Sequence, residues 1–261
     1  MLEYIRASSI STYLECSAKF LFQNILEIKT PNKVALAFGS AIHNTLEENF
    51  KQKVRTRQDI PIEYAKDFFS DSIDSLLQDV AKSDFIGFDT PKNLKDTGIE
   101  LVEKYQKEHA YRIFPKRVEE QIQVKFNGFP YGLSGKIDLL DEDLILVDHK
   151  TSGKDFSELP ESYRIQVGGA YPILIEALEK QPINGTRIDF LIRKSDKSQT
   201  TKIRPISIDV DKKHFFNIFE KVSIGIQNGV FITNRDHMFC SKKWCKFHEF
   251  CEKEFGGHVK N

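Results

Sequence analysis

One apolar run of this 261-residue sequence ends in three side chains that can do chemistry. Asp148, His149 and Lys150 follow the letters LILV, a pattern typical of a buried strand. Side chains alternate along a strand, so Asp148 and Lys150 point to one side of the sheet and His149 to the other. The acidic turn at 141–143 folds the preceding strand back, which places Asp138 opposite Asp148. Two carboxylates and an amine are therefore predicted to converge at the end of a strand pair.

This convergence predicts a metal site. Two carboxylates held close together are unfavourable unless a cation lies between them. Two hard oxygen ligands, with room for water and a substrate phosphate, suit Mg²⁺ or Mn²⁺. The alternative is an ordinary polar strand end, in which Asp148 and Lys150 form a solvated pair that contributes little to stability.

Four cysteines form a second group of candidate ligands. Cys16 lies in LECSAKFLF, within a helix expected to begin after Ser9 or Ser11. The other three lie within twelve residues of the tail, CSKKWCKFHEFC: Cys240, Cys245 and Cys251. Four thiolates can hold an iron–sulfur cluster or a tetrahedral zinc ion. His248 keeps a zinc site with three cysteines and one histidine as an alternative.

Composition limits the class of protein. The hydrophobic fraction of 40%, with 21 Phe, predicts a real core and excludes a disordered chain. The formal net charge of zero gives no hint of a polyanionic partner, so any basic surface must be local. The first residues lack the order of a secretory signal, and no apolar run approaches the ~20 residues that cross a bilayer. A cytoplasmic protein without a membrane segment is expected.

The hydrophobic pattern predicts one α/β domain in three parts. Residues 1–112 form a helical lobe. Residues 113–210 form the core: a three-stranded antiparallel meander, a helix over about 163–180 and two further strands. Residues 211–261 hold a helix closed by Gly229 and the cysteine-bearing tail.

The sequence GKIDLL…LILVDHKTS resembles the active-site core of the PD-(D/E)XK nuclease superfamily, in its RecB/AddB-type branch, which includes the CRISPR-adaptation exonucleases. The resemblance implies a restriction-endonuclease-like α/β core. It also implies that Asp138 and Asp148 are the two acidic positions and Lys150 the lysine. The branch carries a histidine in a G-x-x-x-H setting on an upstream helix. GSAIH fits this setting, and His43 is then a further metal ligand.

Further positions are expected from the same resemblance. The branch has a Gln and a Tyr four residues apart on the helix after the lysine strand, which here are Gln166 and Tyr171, five apart. Five residues turn an α-helix by about 500°, so either Gln166 stands at the helix start or one assignment is wrong. His149 is expected to offer only its backbone carbonyl to the metal. Glu119 or Glu120, before the meander, is a further candidate for the metal shell.

The cysteine pattern also has a counterpart in this branch. Some of its members hold a [4Fe–4S] cluster with one N-terminal and three C-terminal cysteines. LECSAKFLF resembles their Cys-x-x-x-Phe start, and the tail resembles their closing triplet. The spacing differs at one place, because four residues separate Cys240 from Cys245 where the commoner form has two. The gap of five residues between Cys245 and Cys251 agrees with the commoner form.

The resemblance implies a metal-dependent DNA nuclease that hydrolyses phosphodiester bonds, an exonuclease on single strands or free ends in recombination, repair or processing. Its partners would be DNA and proteins of recombination or CRISPR adaptation. The alternative is a non-catalytic iron–sulfur protein that binds DNA or scaffolds such a complex. A restriction-type endonuclease would share the acidic core but not the cysteines.

In the tail, Lys242, Lys243 and Lys246 alternate with aromatic residues. This composition suits phosphate contact and base stacking, or a solvated face over a packed tail.

Overall fold

The structure is a computed structural model that describes residues 2–87, 89–156, 158–194, 196 and 199–261. Its strands are β1 (Tyr4–Arg6), β2 (Pro115–Val124), β3 (Gly132–Asp141), β4 (Ile145–Ser152), β5 (Gly185–Ile192) and β6 (Lys202–Ile208). Its helices are α1 (Ala7–Glu15), α2 (Ser17–Phe20), α3 (Val34–Thr56), α4 (Ile62–Leu77), α5 (Pro91–Glu108), α6 (Glu161–Tyr163), α7 (Tyr171–Glu179), α8 (Lys212–Gln227) and α9 (His248–Phe255). Two π-helical segments are Leu21–Ile25 and Arg164–Ala170, and two 3₁₀ turns are Lys82–Asp84 and Ala110–Arg112.

The strands form one sheet whose centre is the predicted meander. β2 pairs antiparallel with β3, and β3 pairs antiparallel with β4. β4 then runs parallel to β5, and β5 antiparallel to β6. The sequence did not predict β1, which runs parallel to the start of β3 along the edge that β4 also uses. The predicted mixed α/β fold is confirmed.

The two strands that carry the acids separate where the acids lie. Leu139 pairs with Val147, so the next position along the register places Asp138 opposite Asp148, as predicted. Regular pairing stops there, and the backbone N–H of His149 donates to Oδ2 of Asp138 at 2.7 Å. A side chain thus takes the place of a backbone partner, and a crevice opens in the sheet between the end of β1 and β4.

Buried apolar residues cover both faces of the sheet. On one face, α1, α7 and α8 pack against β3, β4 and β5, with Leu146, Leu174, Phe190, Phe215 and Phe219 at the centre of the cluster. On the other face, α3, α4 and α5 pack against the sheet through Phe38, Phe50, Phe69, Tyr105 and Val147. The sheet therefore separates the helical lobe from the second helical layer. No helix of the described residues is long and apolar enough to cross a membrane.

The predicted first helix is wrong in two details. It begins at Ala7, directly after β1, and not after Ser9 or Ser11. It also breaks at Cys16, whose φ of −164° is extended. The break has a tertiary cause, because the backbone N–H of Ala18 and the hydroxyl of Ser17 both turn to the backbone of Ile232 in the tail.

Candidate active site

Three side chains from three elements meet above the crevice. Nδ1 of His43, on α3, lies 3.6 Å from Oδ2 of Asp138 and 3.7 Å from Oε1 of Glu119. In the part of the chain that the structure describes, these three form the one group of His, Cys, Asp and Glu side chains whose ligand atoms all lie within 4.8 Å of one another. The alternative candidate Glu120 instead contacts Arg117, at 3.0 Å.

Glu119 reaches this cluster through an unusual backbone conformation. Its φ is 53°, inside a strand, and a positive φ at a non-glycine residue costs on the order of 1–3 kcal/mol. The pairs on either side are Val118 with Leu139 and Glu120 with Ile137, so Glu119 lies across from Asp138. The strained residue thus stands at the acidic cluster, where its second carboxylate oxygen also accepts Lys136 Nζ at 2.7 Å.

The α3 helix can bring His43 so close because of Gly39. A Cβ at Gly39 would lie 3.1 Å from Oγ1 of Thr151, so the glycine lets α3 pack closely against the end of β4. One turn later, His43 faces a cavity of about 390 Å³ whose walls also include Glu119, Lys136 and Lys150. The G-x-x-x-H pattern therefore has a packing reason here.

Asp148 is the most isolated carboxylate of the site. It is fully buried, and among the described residues neither of its oxygens has a well-aligned hydrogen-bond partner. It forms an ion pair with Lys150, whose Nζ lies 2.7 Å from Oδ2. Leaving buried carboxylate oxygens without hydrogen bonds is costly unless a cation is bound. The carboxylates of Asp138 and Asp148 therefore fit a divalent cation with oxygen ligands.

The site contains several buried charges of both signs, which shift one another's pKa values. Burial, opposed by His43 and reinforced by Asp148, raises the pKa of Asp138 to about 6. Burial alone would lower the pKa of His43, but Asp138 and Glu119 outweigh it and raise that pKa. Burial would likewise lower the pKa of Lys150, and Asp148 and Asp138 reverse it, so Lys150 stays protonated. A bound cation would relieve the repulsion that raises the pKa of Asp138.

Gln166 and Tyr171 lie on the same side of their helix after all. Different faces are expected of an α-helix, but Arg164–Ala170 is π-helical, and its i→i+5 turns align residues five apart. Nε2 of Gln166 donates to the hydroxyl of Tyr171 at 2.6 Å. Burial and the charge of Asp148 raise the pKa of Tyr171.

The adjacent glycines allow this segment to pack closely. A Cβ at Gly168 would lie 2.7 Å from the backbone oxygen of Asp209, and one at Gly169 would lie 2.6 Å from Cβ of Phe215. The π-helical segment therefore packs closely against the start of α8.

The side chain of His149 packs among Phe50 and Tyr105, and its Nδ1 lies 3.8 Å from Oδ2 of Asp138. Its Nε2 lies 2.8 Å from the hydroxyl of Tyr105, which donates to Asp189 at 2.8 Å. Its ring stacks on Phe50, with centroids 5.9 Å apart. Burial lowers the pKa of His149 well below its usual value, so the ring is neutral. Sequence reasoning missed Tyr105 and Asp189, because α5 and β5 supply them from distant parts of the chain.

The four cysteines gather at one end of the molecule, and all four are free thiols. Cys16, Cys240 and Cys245 line one cavity of about 240 Å³, and Cys251 packs beside Cys16 and Cys245. Burial raises the pKa of Cys251, the guanidinium of Arg235 opposes this rise, and the charges of the other three thiols add to it. A soft metal centre would offset this repulsion, so the donor set fits a cluster or a zinc ion. His248 lies nearby, and its Nδ1 is buried without a hydrogen-bond partner among the described residues.

Protein contacts alone already attach the N-terminal helices to the tail. The backbone N–H of Ile232 donates to the Ser17 hydroxyl at 2.7 Å, and Tyr13 donates to the backbone oxygen of Val230 at 2.7 Å. The ring of Phe22 packs against Phe247, with centroids 5.8 Å apart. The thiols are therefore brought together by the fold, independently of any metal.

Comparisons with known proteins agree with this geometry. A family model described as the PD-(D/E)XK nuclease superfamily matches residues 5–252. A crystal structure of a protein from Eubacterium rectale, named "Putative exonuclease", is similar over 97% of this chain and 88% of that one, with a TM-score of 0.59. Its sequence identity of 13% means that the likeness shows the fold alone. The crystal structure of SSO0001 covers 92% of this chain and 95% of its own at 14% identity, with a TM-score of only 0.38. No curated protein matches the chain significantly.

Proposed function

The chain belongs to the PD-(D/E)XK nuclease superfamily, and from that premise we propose that it is a Mg²⁺- or Mn²⁺-dependent deoxyribonuclease that acts on single strands or free ends. The observation that carries the proposal is Asp148, a fully buried carboxylate that lies opposite Asp138, pairs with Lys150 and has no well-aligned hydrogen-bond partner among the described residues. A purely structural ion pair would not need a second carboxylate aimed at the same crevice.

The residues divide into two roles. Asp138, Asp148, His43 and Glu119 would hold the cation, and the backbone carbonyl of His149 is a further candidate ligand. When bound, the cation polarises the phosphate and lowers the pKa of a water molecule. Lys150 remains protonated beside Asp148 and supplies a fixed positive charge where negative charge develops on the phosphate, or orients the attacking water.

Gln166 is proposed to take part through its position. Its amide is fixed by the hydroxyl of Tyr171, whose ring packs against Gly135 of β3. A carboxamide held in this way can present its carbonyl oxygen or its second N–H to substrate or water. The π-helical turn supports this role, since such turns are frequent at functional sites.

One assay separates the competing functions. Purified protein is incubated with circular and linear DNA, with Mg²⁺, with Mn²⁺ and with a chelator. An exonuclease degrades only linear DNA, a restriction-type endonuclease cuts circles into discrete fragments, and a DNA-binding scaffold cuts neither. Degradation of linear DNA that the chelator abolishes is the expected result.

We propose a [4Fe–4S] cluster for the four thiols, with structural zinc as the alternative. Four thiolates are the donor set of an iron–sulfur cluster or of a tetrahedral zinc ion. Cys16, Cys240 and Cys245 line one cavity, and Cys251 packs beside Cys16 and Cys245. An iron–sulfur nuclease of this kind would work in DNA recombination, repair or processing, with partner proteins of recombination or CRISPR adaptation. The alternative is a non-catalytic scaffold with the same cluster.

The first prediction concerns His43. His43→Ala is expected to lower the cleavage rate and to raise the Mn²⁺ concentration for half-maximal activity by about tenfold or more, because it removes an imidazole ligand from a site otherwise built of oxygens. A Mn²⁺ titration of the initial rate measures the shift. His214→Ala is the control, because His214 is exposed and paired with Glu161 at 2.7 Å. An unchanged titration for His43→Ala would exclude His43 as a ligand.

The second prediction distinguishes two neighbouring carboxylates. Glu119→Gln is expected to raise the Mg²⁺ requirement by about tenfold, because Glu119 faces His43 and Asp138. Glu120→Gln should leave the requirement unchanged, because Glu120 contacts Arg117 and lies outside the cluster. A Mg²⁺ titration of the initial rate of both variants measures the two requirements. Equal effects of the two substitutions would contradict the assignment of Glu119 to the metal shell.

A further inference from the structure

A second polar groove begins where the acidic cluster ends. It has a volume of about 480 Å³, and its polar lining consists of Arg6, Ser8, Gln121, Gln123, Ser134 and Lys136, together with Tyr171. No carboxylate is among its lining residues in the described part of the chain. Lys136 lines both this groove and the cavity at His43, so its side chain lies at the border of the two spaces.

The register of β2 and β3 arranges these side chains in a row. Gln121 lies across from Lys136, and Gln123 lies across from Ser134, on alternate positions that share one face. The same face carries Glu119 and Asp138 one step earlier. Each step of two residues advances about 6.8 Å along the strands. Arg6, which pairs with Ser134 from β1, closes the row at its far end.

Several donors in this row have no partner among the residues that the structure describes. Arg6 is exposed, and its guanidinium makes no ion pair or hydrogen bond with any described residue. The side chains of Gln121 and Gln123 likewise make no hydrogen bond with described residues. By contrast, Lys125, near the end of β2, lies 3.7 Å from Glu3. The groove therefore offers one guanidinium and two amides to a ligand that accepts hydrogen bonds.

We propose that this groove binds the phosphate backbone of a single nucleic-acid strand next to the bond that is cut, an inference that rests on the proposed nuclease function. A lining of donors without carboxylates selects an anion. Donors repeated at regular steps suit the repeating phosphates of a polymer better than one small anion. Because Lys136 borders both spaces and the row of donors follows Glu119 and Asp138 along the same two strands, one bound strand would extend from the groove to the acidic cluster. The groove also supplies the local basic surface that a chain of zero net charge needs to bind nucleic acid.

The test compares Arg6→Gln with the matched control Lys125→Gln, in the full-length protein. The substrate is a short single-stranded oligonucleotide, and kcat/KM is measured across a salt series. Arg6→Gln is expected to lower kcat/KM about tenfold at low salt, because it removes a charge-assisted contact. It should also reduce the slope of log kcat/KM against log salt by about 0.7. Lys125→Gln should change neither value.

Oligonucleotides with one neutral methylphosphonate, placed at each position in turn, identify the contact. One position near the cut should lower wild-type cleavage about tenfold and have no further effect on Arg6→Gln. Gln123→Ala provides a second variant in the same groove, should Arg6→Gln fail to fold.

The outcomes separate this proposal from the nuclease function. If wild-type protein cleaves and Arg6→Gln matches it in rate and salt slope, the groove does not hold the strand, while the nuclease function stands. If no methylphosphonate position loses its effect in Arg6→Gln, the proposal is also overturned. If wild-type protein cleaves nothing, the nuclease function fails, and fluorescence anisotropy with the same oligonucleotide and variants still decides whether the groove binds it.

Discussion

Replacing Asp148 with asparagine is expected to lower DNA cleavage by on the order of 10³-fold or more, and Asp148→Ala and Lys150→Ala should have effects of similar size. Asp148→Asn keeps the shape of the side chain but removes the charge that would bind the cation. Lys150→Ala removes the cation that stabilises charge on the phosphate. Initial rates on linear DNA at saturating Mg²⁺ measure both effects.

These losses must be separated from loss of the fold. Removing one partner of a buried ion pair destabilises a protein when it leaves an unpaired buried charge. Lys150 keeps Asp138 nearby after Asp148→Asn, so the fold should survive. Lys150→Ala leaves the buried Asp148 without its ion-pair partner and is therefore the more destabilising variant.

Asp59→Asn provides a control for such destabilisation. It breaks the contact of Asp59 with the buried Lys53, at 2.9 Å in the helical lobe, without touching the crevice. The control should lose stability in thermal unfolding and keep its activity. A folded Asp148→Asn protein that cleaves at near wild-type rate would show that the end of β4 is not the active site, and that its charges are an ordinary polar strand end.

The register of the acids could be predicted from the sequence because it depends on local rules. Strand alternation and the short acidic turn at 141–143 together place Asp138 opposite Asp148, and the sheet follows that register. β1 could not be predicted in the same way. It has only three residues, and its pairing with Gly132 and the residues that follow spans half of the chain.

Two features of the site depend on backbone conformations that cannot be predicted from the residue types. The selection of Glu119 over Glu120 follows from one positive φ inside β2. The meeting of Gln166 with Tyr171 follows from a π-helical turn, whereas residue spacing was interpreted with α-helical geometry. In both cases tertiary packing overrides the local preference of the chain. Such departures are expected at functional sites, where backbone strain is retained because it positions the functional side chains.

The last prediction concerns Cys16, which lies about 220 positions before the tail cysteines. Shared ligation would close nearly the whole chain into one loop, and the metal centre would add its own folding free energy. Cys16→Ser is therefore expected to bleach the brown absorbance of anaerobically purified protein. It should also speed tryptic cleavage of the tail at Lys242 and Lys243, both exposed, by about an order of magnitude or more, since a structural metal contributes several kcal/mol.

The structure sharpens this prediction, because Ser17 and Ile232 hold the first part of the tail to the N-terminal helices without any metal. The loosening should therefore be greatest beyond residue 234, where the three tail cysteines lie. Ser17→Ala is the matched control: it weakens the same junction but keeps every thiol, so the tail should loosen and the colour should remain.

Colourless wild-type protein with stoichiometric zinc would show that the four thiols hold zinc and not an iron–sulfur cluster, and the shared ligation would stand. A Cys16→Ser protein with unchanged metal content and unchanged proteolysis would show that Cys16 is an ordinary half-buried thiol outside the metal centre.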